Sequence, residues 1–124
     1  SGILAIAALL MGAEHAIGID IDPQALTSSL NNATKNNVQD RFNICNTQHY
    51  PTTACDIVIA NILADPLITF AKEISALVKP GGQLVLSGIL SEQIESVQKT
   101  YEGHFIFEAS RIRDNWACLC AAKK

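Results

Sequence analysis

The chain contains no long hydrophobic run, no excess of positive charge and no cysteine motif, and each absence excludes a class of protein. No apolar run in its 124 residues reaches the roughly 18 residues of a membrane-spanning helix. The apolar start SGILAIAALL has neither an initiator Met nor the basic flank of a signal peptide. A formal net charge of −3 gives no basic footprint for nucleic acid. We therefore expect a protein that neither spans a membrane nor reads nucleic acid directly.

The four cysteines form no CxxC pair and no Cys/His cluster with the spacing of a zinc site. Cys118 and Cys120 are two residues apart in an apolar run, so on a strand they would share one face. Free cysteine packs as a small hydrophobic residue, and reduced thiols are typical of the cytoplasm. These features indicate a cytoplasmic protein without a metal site.

Helix-like and strand-like segments alternate along the chain, which predicts an α/β fold around a mostly parallel sheet, in one domain over 1–124. The predicted strands are 15–22, 42–46, 55–62, 83–89 and the two runs FIFEASRI and WACLC. The predicted helices are 1–12, 23–36, 65–79 and one capped by Ser91 that runs to about Tyr101. The first helix is apolar nearly all round and should be buried. The apolar run CDIVIANI suits a parallel strand that is covered on both faces.

The end of the chain narrows the fold class. Only about three residues, RDN, separate the last two predicted strands, whereas a parallel crossover needs a dozen or more. These strands must therefore be antiparallel neighbours. A doubly wound sheet that ends in an antiparallel hairpin resembles the class I methyltransferase (Rossmann-like) fold, whereas a nicotinamide-binding sheet is normally wholly parallel.

The stretch IGIDIDP predicts a buried strand that ends on carboxylates. Open α/β sheets bind ligands beyond the carboxyl ends of their strands, so Asp20 is a candidate ligand residue. One carboxylate can accept hydrogen bonds from both hydroxyls of a ribose. The alternative is a solvated acid in a loop. Asp22 competes for this role, but its place before Pro23 suits a helix cap better.

Four other positions are candidates for the same edge of the sheet. Ser1 and Gly2 precede a buried helix, where small residues let a ligand approach the backbone amides; an accidental start explains them equally well. Asn61 ends the strand DIVIAN and could contact a substrate amine or a cofactor carboxylate, with an Asx turn as the alternative. Asn46 follows the strand FNIC and could contact an adenine amino group, or be an ordinary loop residue.

Three stretches carry a closer resemblance. They are SGILAIAALLMGAEHAIGIDIDPQAL, DIVIANILADPL and KPGGQLVLSGILSEQ, and ANILADPL and LSGIL are the most specific parts. Together with the tail RDNWACLCAAKK they closely resemble the PrmA family of bacterial methyltransferases. That family trimethylates large-subunit ribosomal protein L-eleven with S-adenosylmethionine, and the resemblance spans nearly the whole chain.

The resemblance implies an S-adenosylmethionine-dependent protein methyltransferase that acts on amino groups, namely lysine side chains or an N-terminus. It implies that Asp20 holds the ribose. The adjacent Ile21, and Asn46 after the next strand, are further candidate cofactor-binding residues. It implies that Asn61 lies beside the methionine moiety and the target amine, and is the catalytic residue. Ser1 and Gly2 would be the last residues of the glycine-rich turn. A ribosomal protein is then the expected partner, and we expect a monomer.

The chain departs from the family pattern at its start. The family would place a strand ending in an acid and a Gly-x-Gly turn directly upstream, preceded by a domain that recognises the ribosomal protein. The absent strand would be the central one, between the strands predicted at 15–22 and 55–62. We therefore expect this chain to be part of a longer protein.

Two other functions remain open from the sequence. A nicotinamide-dependent dehydrogenase also places an acid on a ribose, although the terminal hairpin and ANILADPL speak against it. A non-catalytic module that keeps the fold as a scaffold is the other alternative.

Overall fold

The computed structural model describes residues 1–46, 48–49 and 51–124, which form two compact units, Ser1–Pro51 and Thr52–Lys124. Both combine helices with parallel strands, so the predicted α/β class is confirmed. Within the described residues, no helix combines the length and the apolar composition that crossing a bilayer requires.

The unit Ser1–Pro51 is a two-stranded parallel sheet with two helices. Its elements are α1 (Ile3–Leu10), β1 (Ala16–Ile19), α2 (Pro23–Lys35) and β2 (Phe42–Cys45), with a 3₁₀ turn at Gln39–Arg41. β1 and β2 are parallel, and Ile19 is opposite Cys45 at their carboxyl ends. A small apolar core joins the elements, and it consists of Ile6, Leu9, Ala33, Val38 and Phe42.

Hydrogen bonds from polar groups stabilise the beginning of α2 and the end of α1. The Gln24 N–H donates to Asp22 Oδ1 at 2.9 Å, and Pro23 occupies the first helical position, so the predicted cap is confirmed. The Arg41 guanidinium donates to the Ala13 carbonyl at 2.6 Å. It also donates to the Leu9 carbonyl at 3.3 Å, in the last turn of α1. These bonds tie the end of α1 to the beginning of β2.

Only one side of α1 is buried. Ile6 and Leu9 face the core, whereas Ile3, Leu10 and Met11 are 70%, 60% and 88% exposed. The prediction of a helix buried all round is therefore wrong for this chain. The physical reason is that the unit offers α1 one surface only, made by β1 and α2.

The unit Thr52–Lys124 is a five-stranded mixed sheet with three helices. Its elements are β3 (Cys55–Asn61), α3 (Ala64–Thr69), α4 (Ala71–Ala76), β4 (Val78–Leu90), α5 (Ile94–Tyr101), β5 (Phe105–Phe107), β6 (Arg111–Arg113) and β7 (Trp116–Lys123). The strand order is β3-β4-β7-β5, and β6 also pairs with β7. β3 and β4 are parallel, and β7 is antiparallel to β4, β5 and β6. The predicted antiparallel end of the sheet is therefore confirmed.

Several predicted elements have different limits in the structure. The predicted helix 65–79 is divided at Phe70 into α3 and α4. The predicted strand FIFEASRI is divided into β5 and β6, because both pair along the single longer strand β7. β4 already begins at Val78, and KPGG lies in an irregular part of it, where the register with β3 jumps between Cys55 and Ile57.

The two faces of this sheet differ in burial, because only one of them is covered by helices. Leu84, Leu86 and Leu119 are fully buried in the core formed with α3, α4 and α5. On β3, Val58 and Ala60 pack against the same core, whereas Ile57 and Ile59 are 57% and 46% exposed. The prediction that this strand is covered on both faces is wrong for this chain, because the core of this unit lies on one face of the strand only.

Cys118 and Cys120 occupy the face of β7 opposite to Leu119, so the prediction that they share a face is confirmed. Both are half-buried and free. Burial raises the pKa of the Cys118 thiol, and the nearby Cys120 raises it further. Among the described residues, no group of three or more His, Cys, Asp or Glu side chains could hold a metal ion.

A buried tyrosine links α5 to α3. The Tyr101 hydroxyl donates to the Leu67 carbonyl at 2.6 Å, and the Tyr101 ring packs edge-on against Phe105. We expect Tyr101→Phe to lower the free energy of unfolding by about 1–3 kcal/mol, because the buried Leu67 carbonyl would lose this donor while the ring packing is kept. Urea denaturation measures this change, and an unaltered midpoint would contradict it.

Candidate functional site

The carboxyl ends of β3 and β4 lie side by side in the unit Thr52–Lys124. Asn61 is the last residue of β3 and is paired in register with Ser87 of β4. Parallel strands end at the same edge of a sheet, which is where α/β proteins bind ligands. This edge therefore holds the predicted catalytic residue Asn61.

The Asn61 side chain is exposed, and among the described residues no protein group forms a hydrogen bond with it. The following helix α3 has Leu63 as its N-cap, without a side-chain cap bond. The Asx turn that the sequence left open is therefore absent from the described contacts. Both the donor and the acceptor of the Asn61 amide are available to a ligand.

A cavity of about 440 Å³ opens beside Asn61, and it lies entirely within this unit. Its lining residues are Asn61, Ile62, Leu63, Ser87, Gly88 and Trp116. The Trp116 side chain is half exposed, so an indole surface is available to an occupant. The cavity therefore combines apolar walls with one amide that can form hydrogen bonds.

Trp116 is placed by the tight turn between β6 and β7. Asp114 and Asn115 both adopt left-handed backbone conformations, with φ of 50° and 67°, which fits a two-residue hairpin turn. The Ser91 N–H donates to the Asn115 carbonyl at 3.0 Å, and the Ser91 hydroxyl donates to the Asn115 side chain. The prediction that Ser91 caps a helix is therefore wrong, because a 3₁₀ turn at Ser91–Gln93 separates it from α5.

Sequence reasoning missed Trp116, Ser87 and Gly88 as parts of the site. The rule that ligand residues follow the carboxyl ends of strands holds for parallel strands only. β7 is antiparallel, so it begins at the edge where β3 and β4 end. The first residue of a predicted antiparallel strand, directly after a two-residue turn, is the signal that would have identified Trp116.

Asp20 lies directly after β1 in the unit Ser1–Pro51. Its Oδ1 accepts the Asp22 N–H at 3.0 Å, and its own N–H donates to the Cys45 carbonyl at 3.3 Å. The carboxylate is thus fixed at the carboxyl edge of the β1–β2 sheet. A carboxylate offers about four lone-pair sites, so acceptor positions for a ribose diol remain. Asp22, in contrast, is used as the cap of α2.

Ser1 and Gly2 directly precede α1 in the same unit, and Gly2 is its N-cap. Gly2 has φ of +72°, and a Cβ there would lie 3.0 Å from Ser29 Cβ, so the position favours glycine. The Ser1 carbonyl accepts the Asn32 side-chain amide at 3.0 Å. Contacts with α2 therefore hold this turn in place. The cofactor role of Ser1 and Gly2 stays a prediction.

Asn46 and Ile21 follow β2 and β1. Asn46 Oδ1 contacts the Gln48 N–H at 3.0 Å and His49 Nδ1 at 3.1 Å. An adenine amino group would have to displace one of these partners, because a carbonyl oxygen has two lone pairs. Ile21 is 76% exposed, so its side chain is open to an adenine ring.

The predicted site residues thus form two groups. The cofactor-binding candidates Ser1, Gly2, Asp20, Ile21 and Asn46 belong to the unit Ser1–Pro51, and Asn61 belongs to the unit Thr52–Lys124. Asp20 and Asn46 are brought together at one sheet edge by the Ile19–Cys45 register.

Comparison with known proteins gives one consistent family. Residues 1–124 match the family described as ribosomal protein L11 methyltransferase (PrmA). A ribosomal protein L11 methyltransferase of Pseudomonas aeruginosa is 50% identical over 125 residues, covering 100% of this chain and 42% of that protein. A protein of the same name from Idiomarina loihiensis is 50% identical over 123 residues, with 99% and 42% covered.

Solved structures agree on the fold. The ribosomal protein L11 methylase of Lactobacillus delbrueckii subsp. bulgaricus has a TM-score of 0.84 at 26% identity, covering 99% of this chain and 65% of that chain. An RNA methyltransferase of Salinibacter ruber in complex with S-adenosyl-L-homocysteine has a TM-score of 0.75 at 14% identity, with 98% and 74% covered. The latter likeness concerns the fold alone, and together they confirm the predicted methyltransferase fold class.

The chain spans less than half the length of the curated relatives it matches, while the family match covers every residue of the chain. ANILADPL and LSGIL, the most specific motifs of the sequence, contribute five of the six residues that line the cavity: Asn61, Ile62, Leu63, Ser87 and Gly88. This chain belongs to the ribosomal protein L11 methyltransferase (PrmA) family.

Proposed function

We propose that this chain carries the catalytic part of an S-adenosylmethionine-dependent methyltransferase that modifies amino groups of ribosomal protein L11. The target amines are lysine side chains and an N-terminus. The observation that carries the proposal is the cavity at the end of β3, where the Asn61 amide has no described protein partner. Family membership and the names of the relatives support the choice of substrate.

The residues of the unit Ser1–Pro51 fit the cofactor. When bound, S-adenosylmethionine supplies an electrophilic methyl group on its sulfonium, so little covalent assistance is needed. Asp20 would accept the two ribose hydroxyls in charge-assisted hydrogen bonds. Gly2 lets the cofactor approach the first backbone amides of α1, and Ile21 offers apolar surface to the adenine.

The cavity of the unit Thr52–Lys124 fits a target amine. A lysine has a pKa of about 10.4 in water and must lose a proton before it can attack. The apolar side chains of Leu63 and Trp116 disfavour the charged form and so promote this loss. Asn61 Oδ1 and the nearby Ile62 carbonyl would accept the remaining N–H groups and orient the nitrogen lone pair. We assign no general base.

A binding experiment separates this proposal from its rivals. The titration uses the 124-residue chain and a chimera in which this chain replaces the matching region of the Pseudomonas aeruginosa relative. We expect S-adenosylhomocysteine to bind saturably in calorimetry and NAD to give no heat. Binding of NAD alone would favour a dehydrogenase. Binding of neither ligand to the chimera would favour a non-catalytic module, which keeps the fold without a cofactor.

Two further properties belong to the proposal. The four free cysteines of the structure fit the reducing cytoplasm, where ribosomal proteins are made. We also propose that the protein acts as a monomer. Sedimentation of the chimera at assay concentration measures this directly.

A further inference from the structure

Gly88, in the LSGIL stretch, has a backbone conformation that is unusual for a residue within a strand. Its φ is +86°, in the left-handed region that favours glycine. The register between β4 and β7 shifts between Ser87 and Ile89, so Gly88 is the extra residue of a β-bulge. Bulges are over-represented next to active sites, where they redirect neighbouring groups.

The bulge brings the Gly88 backbone against the two acceptors of the proposed amine site. A Cβ added at Gly88 would lie 2.6 Å from the Ile62 carbonyl oxygen and 3.1 Å from Asn61 Oδ1. The nearer atom belongs to the backbone, so it cannot move aside as the tip of a flexible side chain could. The space that a side chain would fill is taken by these two oxygens.

We propose that Gly88 is a positioning residue for methyl transfer, because its missing side chain lets Asn61 Oδ1 and the Ile62 carbonyl converge on the target nitrogen. This inference rests on the proposed function of the cavity. Any larger residue would push the Ile62 carbonyl away from β4 and change where both acceptors point. Misplacement of reacting groups by about 1 Å can reduce the rate about a hundredfold.

The chain offers a matched control at Gly81. Gly81 has a similar φ of +79°, but a Cβ there would meet nothing within 4 Å. Gly81→Ala and Gly88→Ala therefore introduce comparable backbone strain, and only Gly88→Ala adds the collision. The difference between the two variants isolates the effect of the collision.

The experiment compares wild type, Gly81→Ala and Gly88→Ala, each in the 124-residue chain and in the chimera. Calorimetry with S-adenosylhomocysteine counts the folded, cofactor-binding sites in each preparation. Turnover on ribosomal protein L11 is then expressed as kcat per binding site, which removes any loss caused by unfolding. A merely structural role would lower the number of sites and leave kcat per site unchanged.

We expect Gly88→Ala to lower kcat per site by about tenfold to a hundredfold, with little change in the dissociation constant of S-adenosylhomocysteine. Gly81→Ala should retain kcat per site. Equal values of kcat per site in the two variants would overturn the inference. An inactive wild-type chimera that still binds S-adenosylhomocysteine would instead refute the proposed function.

A second variant covers the case in which Gly88→Ala does not fold. Gly88→Asn carries a Cβ as well, but asparagine adopts left-handed conformations more readily than alanine. We expect it to bind S-adenosylhomocysteine and to show the same loss of kcat per site. If neither variant yields binding sites, Gly88 serves the sheet rather than the amine site, and the inference is wrong.

Discussion

Asn61→Ala is expected to lower kcat for methyl transfer by about two orders of magnitude while leaving the affinity for S-adenosylhomocysteine nearly unchanged. The reason is that the exposed Asn61 amide has no described protein partner and lines the cavity at the end of β3. Its removal leaves the fold intact and takes away one acceptor that orients the target nitrogen. Steady-state kinetics with ribosomal protein L11 and calorimetry with S-adenosylhomocysteine measure the two effects separately.

Asn43→Ala is the matched control for this substitution, because Asn43 is another exposed strand asparagine, on β2, and does not line the cavity. It should retain wild-type kcat. Asn61→Asp tests the role more finely, since it keeps an acceptor oxygen but adds a negative charge that favours a protonated amine. Unchanged turnover in Asn61→Ala would show that the amide does not orient the amine.

Asp20→Ala has the second large expected effect, on cofactor binding rather than on turnover. Two charge-assisted hydrogen bonds to a ribose diol would be lost, at about 1.5–3 kcal/mol each. Even if only part of this binding free energy is lost, the dissociation constant of S-adenosylhomocysteine rises by at least about tenfold. With saturating cofactor, kcat should recover towards the wild-type value, which separates Asp20 from Asn61.

Two controls accompany Asp20→Ala. In the wild type, the Asp22 N–H donates to Asp20 Oδ1 at 3.0 Å. Asp20→Asn keeps a side-chain oxygen that can accept this bond, so it preserves the turn while it removes the negative charge. It should bind S-adenosylhomocysteine more weakly than wild type and melt at a similar temperature. Asp40→Ala removes an exposed acid of the same unit and should leave binding unchanged. Wild-type affinity in Asp20→Ala would mean that Asp20 is only a solvated loop acid.

The local chemistry of the sequence predicted those parts of the fold that short-range rules decide. Pro23 after an acid predicted the cap of α2, and the short RDN connection predicted an antiparallel strand pair. A single polar residue at the end of the apolar run DIVIAN predicted that Asn61 lies at the end of a strand, as it does in β3.

Features that depend on long-range pairing were not predictable in the same way. The division of FIFEASRI into β5 and β6 depends on the length of β7, which a local pattern does not reveal. The exposure of Ile57 and Ile59 depends on which face of the sheet receives helices. Likewise, Trp116 joins the cavity because an antiparallel strand starts where its parallel neighbours end.

Each sheet also has a parallel strand with one unpaired edge among the described residues, β1 in one unit and β3 in the other. Whether this chain binds S-adenosylhomocysteine without the remaining length of its relatives is measured by comparing it with the chimera. The comparison gives the contribution of that remaining length to the binding free energy.

The measurement that tests the central claim most directly is mass spectrometry of ribosomal protein L11 after incubation with the chimera and S-adenosylmethionine. We predict mass increases in steps of one methylene on lysine side chains or the N-terminus. They should form about a hundredfold more slowly with Asn61→Ala, and they should be strongly reduced at low cofactor concentration with Asp20→Ala. An unmodified ribosomal protein L11, in the presence of a chimera that binds S-adenosylhomocysteine, would contradict the proposed substrate and the assigned role of the cavity.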